Sequence, residues 1–219
     1  MSNKFTVLLA GVSLALAATA QATNVPSQWQ EGKNYQLIKP ALETHSGDKV
    51  EVVEVFSYAC PHCAHFQPYA EKIKAELPDS ATYVYKPAVF FKQWEPYARG
   101  FLAAKAMGVA SEGHQALFDA LHRDRKPIRT LEDLGHFYAQ YGVDPGEFVS
   151  TAESFVIGNQ LQQDVAWERK AGVMGTPTII IDGKYRFSAD TAGGNEEMVR
   201  LTEWLVNKEL AARKKGAAN

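Results

Sequence analysis

Residues 50–63 read VEVVEVFSYACPHC, and this stretch decides the fold. Its first part, residues 50–58, is rich in β-branched and aromatic side chains, which predicts a buried strand. From Cys63 onward the apolar residues recur in alternating steps of three and four, which predicts a helix whose buried stripe begins at Cys63. The stretch is therefore a strand that leads into a helix, with Cys-Pro-His-Cys at the junction.

The other elements of the core follow from periodicity and from turn residues. Pro68 lies inside the predicted helix and removes a backbone hydrogen bond, so a kink is expected there. Asp182-Gly183 is a strong two-residue hairpin signal between two apolar runs. The remaining predicted strands are 82–86, 178–181 and 184–187, and the last helix is predicted over 196–211.

Residues 88–171 lack strand-like alternation and carry several helix start signals. Glu95-Pro96 can begin a helix, Thr130 precedes an acidic residue by three positions as in a capping box, and Asp144-Pro145 offers an N-cap followed by proline. We therefore expect a helical insertion here. The predicted fold class is α/β, a thioredoxin-like central mixed sheet flanked by helices, formed by residues 23–87 and 172–212.

The two ends of the chain are expected to lie outside this domain. Lys4 precedes an uncharged apolar run and residues 20–22 read AQA, so residues 1–22 are interpreted as a secretory signal peptide cleaved after Ala22. The run is shorter than the roughly 20 apolar residues that a membrane-spanning helix needs. Residues 213–219 are expected to form a flexible tail. With 23 basic and 25 acidic residues among 219, the net charge of -2 argues against a nucleic-acid partner.

The only two cysteines of the chain are Cys60 and Cys63. A bridge across so short a loop would contribute only about 2 kcal/mol to stability, against about 3 for a fifteen-residue loop, so stability is a weak reason for it. Cys60 precedes the first helical turn, where free N–H groups and the helix dipole favour a thiolate. Pro61 suits the first helical position, and His62 can add positive potential. A stabilised thiolate favours the reduced form, so the pair is expected to be oxidising.

Other kinds of site fit the sequence less well. A zinc site would need ligands from separated segments, and haem attachment would need histidine directly after the second cysteine, where Ala64 stands. No phosphate-binding or dinucleotide-binding motif is evident. We therefore predict no metal and no cofactor. Four histidines far from the cysteines in sequence are expected at the surface: His45, His114, His122 and His136.

A strand leading into CxxC, with Gly175-Thr176-Pro177 before a later strand, resembles the thioredoxin superfamily. Cys-Pro-His-Cys in a secreted chain with a helical insertion is similar to the DsbA family of bacterial thiol:disulfide oxidoreductases, and the resemblance covers about residues 49–210. It implies that Pro177 is a cis-proline beside the cysteines and that Thr176 presents backbone groups to an extended substrate. Glu54 matches a buried acid that assists proton movement around the inner cysteine. The alternative for Glu54 is a carboxylate satisfied at a strand end.

The resemblance also implies a reaction and its partners. The Cys60–Cys63 disulfide is expected to pass to reduced exported polypeptides through a mixed disulfide at Cys60, with reoxidation by a quinone-linked membrane protein resembling DsbB. A periplasmic monomer is expected. Tyr58-Ala59 and Thr176 depart from common family patterns, which leaves substrate preference and partner docking open. The alternatives are a disulfide isomerase or reductase of the same superfamily, and a periplasmic peptide-binding chaperone with a structural disulfide.

Overall fold

The computed structural model describes residues 28–217 and contains one five-stranded mixed sheet. The strand order is β1-β5-β4-β2-β3, in which β2 and β3 are parallel and the other neighbouring pairs are antiparallel. This confirms the predicted mixed sheet. The strands are β1 (Gln36–Leu37), β2 (Val50–Phe56), β3 (Ala81–Pro87), β4 (Thr178–Ile181) and β5 (Tyr185–Phe187).

Helices cover the sheet and fill the long connection between β3 and β4. That connection, every residue of which the structure describes, contains five α-helices and no strand, so the predicted helical insertion is present. The predicted start signals act as helix caps: the Thr130 hydroxyl accepts the N–H of Asp133, and the Asp144 carboxylate accepts the N–H of Glu147. The helices are α1 (Pro61–Glu76), α2 (Glu95–Ala106), α3 (Ala110–Phe118), α4 (Leu131–Tyr138), α5 (Pro145–Glu153), α6 (Phe155–Ala171), α7 (Ala189–Ala192) and α8 (Asn195–Ala217).

Strand β2 lies between β3 and β4, and all seven of its residues are buried. Val50 and Val52 pack with α1 and α8 on one face of the sheet, whereas Val53 and Val55 pack with the end of α6 on the other. Since side chains alternate along a strand, Glu54 shares the α1 face. Burial on both faces explains why the strand is apolar almost throughout.

Several predicted element boundaries shift: β3 is one residue longer at each end than predicted and α8 begins one residue earlier. Two other shifts have clear local reasons. Strand β2 ends at Phe56 and not at residue 58, because the Ser57 carbonyl accepts the N–H of Cys60 and closes a turn. In the hairpin, Asp182 and Gly183 both have positive φ, as the sequence signal requires, and β5 begins one residue later than predicted. Helix α1 continues through Pro68 without a break.

The prediction of a flexible tail from residue 213 is wrong for residues 213–217, because α8 continues to Ala217. The Arg213 guanidinium donates hydrogen bonds to the Asp182 carboxylate at 2.6 Å and to the Asp48 carbonyl at 2.5 Å. These bonds hold the last turns of the helix against the β4–β5 turn. The predicted signal peptide lies outside the described residues. Within them, none of the helices combines the length and hydropathy needed to cross a bilayer.

Candidate active site

The two cysteines lie where the sequence predicts, at the amino-terminal end of α1. The backbone of Cys60 is extended, and Pro61 is the first residue of α1. The Cys60 carbonyl accepts the backbone N–H groups of Cys63 and Ala64 at 3.1 and 3.2 Å, so the first turn closes directly over Cys60. The structure describes the reduced form, with two free thiols. Cys60 is 5 % exposed and Cys63 is fully buried.

The environment of Cys60 favours its thiolate. A hydrogen bond donated by the Cys63 thiol, together with the backbone N–H groups of Cys63 and His62, lowers the pKa of Cys60 to about 5, although partial burial opposes the shift. Donors that stabilise the charged form lower the pKa of an acid, as here. At neutral pH this sulfur is therefore ionised and able to act as a nucleophile or as a leaving group.

Cys63 has the opposite character. Burial raises the pKa of its thiol well above the usual value, and the hydrogen bond to Cys60 acts in the same direction. The pair thus divides its roles: Cys60 holds the negative charge, and Cys63 keeps a proton and donates it toward Cys60. Burial on the apolar stripe of α1 also keeps Cys63 from direct attack by a thiol in solution.

The loop before β4 completes the surroundings of Cys60. The Thr176–Pro177 peptide bond is cis, which confirms the expectation from the resemblance. The Cys60 sulfur lies 3.4 Å from the Thr176 carbonyl oxygen, although 116 residues separate them in sequence. The Thr178 hydroxyl donates to the Gly175 carbonyl at 2.7 Å and holds the loop. Thr176 therefore presents its carbonyl at the reactive sulfur.

An open groove of 450 Å³ begins at His62, next to the cysteines in α1, and follows this loop, although neither cysteine lines it. The side chain of His62 is exposed and lines the groove, so the backbone N–H of this residue contacts the thiolate while the imidazole faces the solvent side. Met174, which is 93 % exposed, places a flexible apolar side chain at the rim. Other residues that line the groove are His65, Thr176, Pro177, Arg186 and Phe187.

Glu54 lies in the middle of β2 and is fully buried. The Tyr83 hydroxyl donates to one of its carboxyl oxygens at 2.6 Å, and the other oxygen has no partner among the described residues. Burial raises the pKa of Glu54 to about 8, so this acid is mostly protonated at pH 7. The alternative of a carboxylate satisfied at a strand end does not hold. When Glu54 is ionised, its charge adds to the effect of burial in raising the pKa of Cys63, so the two groups are coupled electrostatically.

We expect the Glu54→Gln substitution to change how stability depends on pH. The folded pKa of Glu54 is raised above its unfolded value of 4.5, so the wild-type protein loses stability as pH rises from that value toward 8. A glutamine side chain does not titrate, and its carbonyl oxygen can still accept from Tyr83. In the disulfide form, where neither cysteine titrates, the variant should gain about 3 kcal/mol relative to wild type between pH 5 and pH 8. Urea unfolding at both pH values tests this, and a constant difference would contradict it.

The prediction of surface histidines is wrong for His114. It is buried in an aromatic cluster with Phe56, Phe118 and Tyr85, and its Nδ1 lies 2.9 Å from the Tyr58 hydroxyl. Burial lowers its pKa to about 3, so the imidazole is neutral.

His122 is half-buried, and its Nε2 donates to the Tyr58 carbonyl at 2.7 Å. The structure thereby adds His122 to the surroundings of Cys60, because it fixes the backbone just before the Cys-Pro-His-Cys turn. The sequence signal for this burial is the apolar spacing of Leu117, Phe118 and Leu121, which marks one face of α3 and of the helical turn that follows it. His45 and His136 are exposed, as predicted.

Comparison with known proteins agrees with this geometry. Residues 51–205, more than half of the chain, match the model of the DSBA-like thioredoxin domain. The chain belongs to the DsbA family. It is 36 % identical to the thiol:disulfide interchange protein DsbA of Pseudomonas aeruginosa over 208 residues, which cover 95 % of this chain and 99 % of that protein. It is 32 % identical to DsbA of Azotobacter vinelandii, covering 94 % and 96 %.

Solved structures of DsbA proteins share the fold. The crystal structure of Pseudomonas aeruginosa DsbA superposes with a TM-score of 0.79 at 37 % identity, covering 85 % of this chain and 97 % of that one. Xylella fastidiosa DsbA gives 0.77 at 36 % identity, covering 82 % and 97 %. This DsbA-family chain is therefore a thiol:disulfide oxidoreductase.

Proposed function

We propose that this DsbA-family chain introduces disulfide bonds into exported proteins. In this proposal the substrate thiolate attacks the Cys60 sulfur of the disulfide, and Cys63 is the resolving cysteine. The observation that carries the proposal is the contrast within the pair. Cys60 has a pKa of about 5, whereas the pKa of Cys63 is raised. A thiolate that is stable in the reduced form is a good leaving group, and it makes the disulfide form a strong oxidant.

The proposed cycle has two exchange steps. A substrate thiolate attacks the Cys60 sulfur of the disulfide, which forms a substrate–Cys60 bond and releases Cys63 as a thiolate that takes up a proton. A second substrate thiolate then attacks the substrate sulfur of this bond and expels Cys60 as a thiolate. The substrate loses two electrons and the pair gains them. The Thr176 carbonyl, 3.4 Å from the Cys60 sulfur, supports a role for Thr176 and Pro177 in positioning the substrate backbone.

Glu54 is proposed to exchange the proton that Cys63 takes up and gives back. Its pKa of about 8 keeps a proton on the carboxyl group at neutral pH. The carboxyl oxygen that has no hydrogen-bond partner can release this proton or take it back. Pro61 is proposed to hold the first turn of α1 in place, because its ring fixes the backbone where Cys60 needs free N–H donors.

The setting of this reaction is also a proposal. Residues 1–22 are proposed to direct export to the periplasm, where disulfides persist. The reduced pair would then pass its electrons to a quinone-linked membrane protein resembling DsbB, and the chain would work as a monomer. Residues 23–87 and 172–212 are proposed to form the thioredoxin-like domain, and residues 88–171 the helical insertion.

The direct test mixes the purified disulfide form with an equal amount of a reduced, unfolded model protein that has two cysteines. We expect nearly complete transfer of the disulfide, because the Cys60 thiolate favours the reduced enzyme. Thiol labelling followed by mass spectrometry counts free thiols in both proteins. An equilibrium that leaves the enzyme mostly oxidised would contradict an oxidase.

Two further assays separate this function from the alternatives. An isomerase would rescue a model protein with scrambled disulfides faster than it oxidises a reduced one. A peptide-binding chaperone with a structural bridge would suppress aggregation of unfolded chains equally well after Cys60→Ser and Cys63→Ser are combined. The low pKa of Cys60 supports an oxidase and gives no support to an isomerase or to a chaperone with a structural bridge.

The His62→Gln substitution is expected to weaken the oxidising power of the pair. The imidazole lies exposed in the first turn of α1, where a positive charge stabilises the neighbouring thiolate. Glutamine keeps the backbone N–H that contacts Cys60 but removes the ring that can carry a positive charge. The equilibrium with reduced and oxidised glutathione should shift several-fold toward the disulfide form. An equal equilibrium for wild type and variant would refute this role.

A further inference from the structure

A second surface feature adjoins the cysteines on the side of the helical insertion. We call residues 122–129 the basic loop; it follows α3 and carries His122, Arg125, Lys126 and Arg129. These four side chains line an open cavity of 340 Å³. Tyr58 and Ala59 line the same cavity, so it reaches the residue directly before Cys60.

Three cations of the basic loop have no ion-pair partner. Arg123 is paired with Asp119 and Asp124 at 2.7 and 2.9 Å. By contrast, Arg125, Lys126 and Arg129 are exposed, and none of them forms an ion pair with any acid in residues 28–217. The Arg123 side chain and, to a smaller extent, the charge of Lys126 lower the pKa of Asp124, so this acid offsets part of the positive charge that the three cations place at the cavity.

The backbone of the basic loop is fixed at several points. The Tyr97 hydroxyl of α2 donates to the Ile128 carbonyl at 2.7 Å, and the N–H of Lys126 donates to the Ala120 carbonyl at 2.8 Å. His122 donates to the Tyr58 carbonyl, which ties the loop to the strand that leads to Cys60. Because the backbone is already ordered, holding a ligand here costs less conformational entropy.

We propose that the basic loop binds a carboxylate side chain of the polypeptide that is being oxidised. This inference rests on the proposed function. Ala59, which directly precedes Cys60, lines the cavity, so a chain bonded to the Cys60 sulfur lies next to it. The tether raises the effective concentration of neighbouring side chains at the cavity. The protein as a whole carries a net charge of -2, so the attraction is local and selects acidic residues beside the reacting cysteine.

The test compares three dithiol peptides that react with the disulfide form of the full protein. They are identical except for four residues beside one cysteine, which are all Asp, all Asn or all Lys. In low salt we expect the Asp peptide to be oxidised about tenfold faster than the Asn peptide, and the Lys peptide more slowly than both. Physiological salt should reduce the difference severalfold, because the cations are exposed. Quenched samples and mass spectrometry give the rates.

The matched variants each lose three positive charges. One combines Arg125→Asn, Lys126→Gln and Arg129→Gln, with Asn chosen because Arg125 has a positive φ of 53°. The control combines Lys105→Gln, Lys214→Gln and Lys215→Gln, three exposed lysines that do not line the cavity. The basic-loop variant should oxidise the Asp and Asn peptides at equal rates and the Asn peptide at the wild-type rate, whereas the control should keep the preference.

Two results would overturn the inference. The first is equal rates for the three peptides with the wild-type protein. The second is an acidic preference that survives in the basic-loop variant. If that variant also loses binding to vesicles of anionic phospholipid, the loop is assigned to a membrane surface instead. A failure of the proposed function looks different, because no peptide would then be oxidised.

Discussion

Replacing Cys60 with serine is expected to abolish disulfide transfer. The variant keeps the fold and the groove, but it has no sulfur at the position that lies 3.4 Å from the Thr176 carbonyl. Cys63 is then the only cysteine, and it is fully buried with a raised pKa, so it is a poor nucleophile at neutral pH. Oxidation of the two-cysteine model protein should fall to the rate of the uncatalysed reaction with oxygen.

The matched control is Cys63→Ser, which leaves Cys60 in place with a single sulfur. This variant cannot form the internal disulfide, so it should not oxidise a substrate either. It should instead form a stable mixed disulfide with a substrate cysteine that has been activated as a disulfide with an aromatic thiol: the Cys60 thiolate attacks the substrate sulfur, the aromatic thiolate leaves, and no resolving cysteine can release the adduct. The two variants thus differ in the adduct seen by mass spectrometry. An adduct on Cys60→Ser, or none on Cys63→Ser, would reverse the assigned roles.

The second large effect is a dependence of reduced-state stability on pH. The pKa of Cys60 is lowered from 9.0 in the unfolded chain to about 5 in the folded one. The resulting stabilisation is fully present above pH 9, and it is lost as pH falls toward 5. At pH 7 it amounts to about 3 kcal/mol, and it exists only in the reduced form. The reduced protein should therefore unfold at a higher temperature than the oxidised protein at pH 7.

Thermal unfolding of both forms between pH 4 and pH 8 measures this difference. The stability of the reduced protein relative to the oxidised one should rise by about 3 kcal/mol between pH 4 and pH 7, and near pH 4, where the thiolate is protonated, the disulfide should make the oxidised protein the more stable of the two. Absorbance of the thiolate near 240 nm, followed in the same samples, should give a midpoint near pH 5, and Cys60→Ser should lack the signal. A gap that does not vary with pH would show that the thiolate is not the source of the stabilisation.

The parts of the site that are close in sequence could be predicted from it. Cys60, Pro61 and Cys63 follow one another through a single helical turn, so the rules for helix ends place them correctly. The burial of Cys63 follows from the spacing of apolar residues along α1. The cis peptide bond at Pro177 came from the family resemblance, because the sequence shows only a proline before a strand.

The parts that depend on tertiary packing could not be predicted. His114 looks like an ordinary polar residue, and only the assembly of α3 against β2 and β3 encloses it among aromatic rings. Lys86 of β3 forms an ion pair with Asp164 of α6 at 2.6 Å and not with Glu54. Since side chains alternate along β3, Tyr83 and Lys86 lie on opposite faces, and Tyr83 reaches Glu54.

Short elements without a strong sequence signal were also missed. Strand β1 contains only two residues, and its pairing with β5 comes from the sheet edge rather than from its own pattern. Helix α7 contains four residues and is fixed by a capping box at Ser188. Helix α8 extends to Ala217, beyond its predicted end at residue 211. The polar composition of this segment gives no sign of the hydrogen bonds from Arg213 to Asp182 and Asp48 that hold it in place.

The Thr176 carbonyl and the Cys60 sulfur are in contact although 116 residues separate them in sequence. The segment that carries Thr176 and β4 therefore follows both cysteines by more than 100 residues along the chain. Until β4 has paired with β2, Cys60 has no Thr176 carbonyl beside it and the groove lacks most of its lining. A fragment that ends before residue 176 thus contains both thiols but not the surface beside them, and assembly of the site reports that the carboxy-terminal part of the domain has folded.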